Sequence, residues 1–82
     1  MPWYDIIWDY EPGGNVEHVA EHGIQTDDVE SVIRDPIETS TSRTTGKPVA
    51  TGYTADGRLI FVVYEHIDEI TIYPITAYEI AE

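Results

Sequence analysis

The chain contains no cysteine, so disulfides, thiolate metal sites and cysteine nucleophiles are excluded. Cations are almost as scarce. Of the 82 residues only four are Lys or Arg, and Lys47 is the single lysine. Sixteen Asp and Glu residues outweigh them, for a net charge of −12. A surface that binds nucleic acid needs clustered Lys and Arg, so this balance disfavours RNA as a partner. Long apolar runs are missing as well. None approaches the roughly 18 residues that a membrane helix needs. The opening "MPWYDIIWDY" has neither a basic leader nor a small-residue cleavage site. These absences predict a cytoplasmic protein with no membrane partner.

What is present fits a folded globule, with 41% hydrophobic and 24% charged residues. The length predicts a single domain over 1–82, burying about 60 to 65% of its unfolded surface. The acids run from Asp5 to Glu82 rather than gathering in a tail. Such a surface repels nucleic acid and attracts basic partners, keeps a small protein soluble, or suits a high-salt cytoplasm.

"WYDIIW" at 3–8 is aromatic and β-branched, and predicts a first strand that "EPGG" ends. A short helix follows, with Asn15 as N-cap, an apolar face of Val16, Val19 and Ala20, and Gly23 as its stop. Thr26 is expected to cap a second helix, which buries Val29, Val32 and Ile33 and ends at Asp35-Pro36. The pattern then turns to strands. "ETSTS" (38–42) is polar and suits an edge, and "PVATGYT" (48–54) is next. "ADG" (55–57) marks a hairpin, and "RLIFVVYE" (58–65) is apolar enough for a central strand. "ITIYPITAY" (70–78) is the last strand, and Pro74 requires an edge or a bulge there. The order β-α-α-β-β-β-β predicts an α+β fold. Two short helices pack on one face of a mostly antiparallel sheet of four to five strands.

His18-Val-Ala-Glu21-His22 reads H-x-x-E-H, a zinc-peptidase signature in which two histidines one helical turn apart hold the metal. The helix spans only about two turns, and Glu65 and His66 are the only convenient third ligands. His22 just before Gly23 is equally explained as a helix end, where its ring can reach free carbonyls. No metal and no other cofactor is therefore expected.

Several strings, in order, resemble the BrnT-like toxins, ribonucleases of toxin–antitoxin systems with a RelE-like fold. They are Trp8-Asp9, His22-Gly23-Ile24, Asp35-Pro36, Gly57-Arg58-Leu59-Ile60 running into Val62-Val63-Tyr64, and Ile75-Thr76-Ala77. The chain departs from the pattern at Glu21, where the family has Lys, at His18, where it has Asn, and at Tyr78-Glu79, where it has Arg and a basic helix. The resemblance implies a toxin-like ribonuclease with a small antitoxin as partner. Cleavage at a 2′-OH needs a base, an acid and a cation for the phosphate. The resemblance points to Arg58 for the cation, with Arg43 and Lys47 next and His22 for proton transfer. His18 and His66 are further acid or base candidates, and Tyr53, Tyr64 and Tyr78 are candidate proton donors. Arg43 and Lys47 flank one turn and Arg58 the opposite end of the hairpin, roughly 20 Å away at ~3.3 Å per residue. The alternative reading is a non-enzymatic acidic interaction module on the same fold. It would offer a sheet, a polar edge and an acidic surface to a basic protein, or associate as a homodimer.

Overall fold

The computed structural model describes residues 4–80. Its elements are β1 (Asp5–Ile6), α1 (Asn15–Glu21), α2 (Thr26–Arg34), β2 (Glu38–Thr41), β3 (Pro48–Tyr53), β4 (Leu59–His66) and β5 (Thr71–Glu79). The fold is α+β, in the predicted order β-α-α-β-β-β-β. One sheet runs β1-β5-β4-β3-β2, parallel between β1 and β5 and antiparallel elsewhere. Both helices lie on one face. Val19, Ile24, Val29, Val32 and Ile33 pack there against Ala50, Ile60, Val62, Tyr64, Ile72 and Ala77. Among the described residues no helix is long and apolar enough to cross a membrane.

The first strand is much shorter than "WYDIIW" predicts. Trp3 lies outside the described residues, and the ladder with β5 holds only Asp5 and Ile6. Ile7 still donates its N–H to Ile72. Its carbonyl is then diverted to Asn15, which ends the pairing.

Asn15 is not the N-cap of α1. Gly14 holds that position without a side-chain cap, and Asn15 is the first helical residue, buried at 3% exposure. Its Nδ2 donates to the carbonyls of Ile7 and Pro74, each at 2.9 Å, and its Oδ1 accepts the Asp9 N–H at 2.7 Å. The amide that the sequence assigns to the helix end is thus spent on tying α1 to two strands. Gly14 allows this approach, because a Cβ there would lie 2.5 Å from the Asp9 carbonyl oxygen.

The stop of α1 is as predicted. Gly23 sits at φ +75°, its N–H bonds Ala20 and the N–H of Ile24 bonds Val19. This is a Schellman ending, with Val19 and Ile24 as its apolar contact. The expected apolar face needs correction: Val19 is buried, Val16 half-buried and Ala20 exposed. A two-turn helix touches the core on a narrow line, and Ile24, brought round by the Gly23 turn, supplies the second large apolar side chain. In α2 the N-cap is Gln25 rather than Thr26, and the Asp28 carboxylate accepts the Gln25 N–H at 3.1 Å. Val29, Val32 and Ile33 are buried as the spacing predicts.

Pro74 sits at a bulge and not at an edge, since β5 lies between β1 and β4. Val63 pairs with Thr76 but Tyr64 with Pro74, so Ile75 is the extra residue. The Pro74 carbonyl freed there is the one that Asn15 takes.

Candidate functional site

Arg58 directly precedes β4 at the hairpin turn, where Thr54 donates its N–H to the Arg58 carbonyl and Gly57 carries the left-handed turn at φ +87°. The guanidinium is surrounded. Nη2 meets Asp28 at 3.0 Å, Nε meets Asp56 at 3.1 Å, and Nη1 stands 3.9 Å from Glu79 and donates to the Gly23 carbonyl at 2.9 Å. Four segments therefore meet on one side chain: the end of α1, the start of α2, the β3–β4 turn and the end of β5. Charge-assisted bonds raise the Arg58 pKa above its ordinary value, first through Asp56. The Asp56 carboxyl is held below the usual carboxylate range, first by the Thr54 hydroxyl and then by Arg58.

His22 caps α1 beside this cluster. Its ring centroid is 6.0 Å from Tyr78 and 5.9 Å from His18. Both histidines are exposed, and the C-cap of α1 is closed through backbone N–H groups. Tyr78 also contacts Phe61, with centroids 5.1 Å apart. The structure thus brings Arg58, His22 and Tyr78 to one end of the molecule.

Lys47 and Arg43 are not there. Lys47 pairs with Glu65 at 3.7 Å, at the far end of the β3–β4 ladder from Arg58, and Arg43 is exposed in the β2–β3 turn. His66 ends β4 at that same far end, between Tyr4 at 6.1 Å and Tyr64 at 5.6 Å. Burial pushes the Tyr64 phenol pKa up, with the neighbouring Tyr4 adding to it. Glu65 and His66 do not join His18 and His22 in a ligand set. Among the described residues no three Asp, Glu or His side chains are placed to share a metal ion.

How the remaining residues group on the sheet was not evident from the sequence. The sheet face opposite the helices carries Thr51, Phe61 and Tyr78 in one row, and Val49, Val63 and Thr76 in the next. Tyr53 and Tyr78 are 51% and 40% exposed on it. Glu38 and Glu65 share the face by strand alternation. A shallow cleft of about 220 Å³ lies between His18, Gly14 and Asn15 on one side and Tyr73 and Ile75 on the other. Asp28 and Glu79, the partners of Arg58, lie far from it in sequence, so no local spacing could announce them. Compared with family models, curated proteins and solved structures, the chain matches none.

Proposed function

We propose that this chain is an acidic protein-interaction module that receives a basic protein on the helix-free face of its sheet. One observation carries the reading: the side chain best placed for phosphate is already occupied. Arg58 faces three carboxylates and a carbonyl, and an incoming phosphate would have to displace them and then meet their charge. Lys47 and Arg34 are paired as well, with Glu65 and Glu30. The net charge of −12 favours a basic partner over a polyanion. Tyr53, Phe61 and Tyr78 provide aromatic anchors of the kind that dominate interfaces.

The test is titration of the chain with a synthetic basic peptide carrying interspersed Leu and Lys, followed by tyrosine-ring NMR shifts. Binding that weakens with salt and is lost in Phe61→Ala and Tyr78→Ala is expected. Shifts confined to other faces would overturn the assignment. One observation favours the toxin-like ribonuclease as a second reading, the closeness of His22 and Tyr78 to Arg58. That reading expects growth arrest on expression, relieved by Arg58→Ala in a variant that still folds, while Arg43→Ala and Lys47→Ala, which alter residues away from the cluster, leave it in place. RNA cleavage by the purified chain, in dilute buffer or molar potassium chloride, would replace the first reading with the second.

A further inference from the structure

β2 is the outer strand of the sheet, and all four of its residues are exposed. Ser42 donates its N–H to Lys47 at 2.8 Å, and Ser40 and Glu38 stand opposite Val49 and Thr51. Antiparallel pairing alternates along a strand, so Glu38, Ser40 and Ser42 turn their backbone groups toward β3. Thr39 and Thr41 turn theirs outward. Each presents an N–H and a C=O to solvent on a strand of Thr and Ser, residues well suited to further pairing. Edges are usually blunted by shortness, charge, a proline, a bulge or a covering helix. β2 is blunted only in part: it is four residues long and carries Glu38, but it has no lysine or proline, and its exposure shows that neither helix covers it.

Charge selects the occupant. Most of the surface repels a second copy of a chain at −12. This edge is different, because Arg43 stands exposed in the turn at one end of it, next to Lys47, which pairs with Glu65 of its own chain. Asp35 and Glu38 stand at the other end. A two-fold axis through the edge would set the turn of each copy beside Asp35 and Glu38 of its mate.

We propose that β2 pairs antiparallel with β2 of a second copy, Ser40 opposite Ser40, so that Thr39 of each exchanges N–H and C=O with Thr41 of the other. The two sheets then continue into one. The contact uses an edge and leaves the helix-free face open, so it does not depend on the basic-partner reading.

Sedimentation velocity over a concentration series, in about 0.1 M and about 1 M potassium chloride, reads the association, which salt strengthens by screening the like net charges. Thr41→Pro removes an outward N–H without touching the ladder to β3, and is expected to weaken the dimer by at least about tenfold. Ser40→Pro, whose N–H serves β3, is the contrasting variant and is expected to destabilise the fold itself. Amide exchange on the unaltered chain gives a second measure. Exchange at Thr39 and Thr41 should slow as concentration rises, while exchange at Ser40 is slow throughout. A monomer at every concentration and both salt strengths would overturn the proposal. So would a dimer that Thr41→Pro leaves intact, or Thr39 and Thr41 amides indifferent to concentration.

Discussion

Asn15 and Arg58 each tie together several segments through one side chain, Asn15 fixing α1 to β1 and β5. Asn15→Asp replaces the Nδ2 donor with an acceptor facing the carbonyls of Ile7 and Pro74. A cost of about 2 to 3 kcal/mol is expected in urea unfolding near neutral pH. It should shrink in acid, where the introduced carboxyl regains a proton to donate. Arg58→Ala should lower Tm at pH 7 by releasing three carboxylates at once. The sign of its pH dependence follows from the part that Arg58, after the Thr54 hydroxyl, plays in holding the folded pKa of Asp56 below its ordinary value. That stabilisation is complete above about pH 4 and disappears as pH falls through the folded value. The gap in Tm between Arg58→Ala and the parent should therefore close in acid. A gap that widened would mean that Arg58 is held by something other than its carboxylates. At this scale the sequence was least legible. It marked Asn15 as a cap and Arg58 as a phosphate ligand because each residue type is apt for those roles, and only the fold supplies Pro74 to the one and Asp28 and Glu79 to the other.

Elements were more legible, because period and turn chemistry are local. The Gly23 stop, the α2 stripe, the hairpin at Gly57 and the apolar run of β4 all appear where spacing placed them. The misses have local causes too. β1 ends early because the Ile7 carbonyl goes to Asn15, and Ala20 is exposed because Ile24 takes the place a longer helix face would fill. Val62→Ala should cost about 1 to 3 kcal/mol through lost methyls and a cavity, since Val62 is fully buried beneath the helices. A change near zero would place that strand in the wrong register. Gly23→Ala should cost about 1 to 2 kcal/mol from the left-handed backbone alone. Any excess would measure how far the turn also positions Ile24 and the carbonyl that Arg58 binds.

Across the whole molecule the dominant quantity is charge, and composition alone supplied it. A surface at −12 resists its own compaction, so Tm should rise steadily as potassium chloride is raised from about 0.05 M to about 1 M. A flat response would show that the carboxylates are spaced widely enough to ignore one another. The opposite trend would show that ion pairs such as Arg58–Asp28 outweigh the repulsion. The candidate site was legible only in part at this scale. The small number of cations could be counted, but which carboxylates engage them depends on how the layers close.

The parallel pairing of β1 with β5 also sets a timetable. Asp5 and Ile6 find their strand partners at Thr71 and Ile72, near the opposite end of the chain. During synthesis the first strand emerges with nothing to pair with, and Asn15 waits for the Pro74 carbonyl in the same way. The β2–β3–β4 meander can assemble from neighbours, but the sheet is finished only when β5 slots between β4, made just before it, and β1, made well before both. Closure of that long loop costs more entropy than closing the hairpins, so the hairpins are expected to form early and β1 to dock late. A nascent chain arrested before Thr71 would hold a meander and two helices with no first strand to complete them.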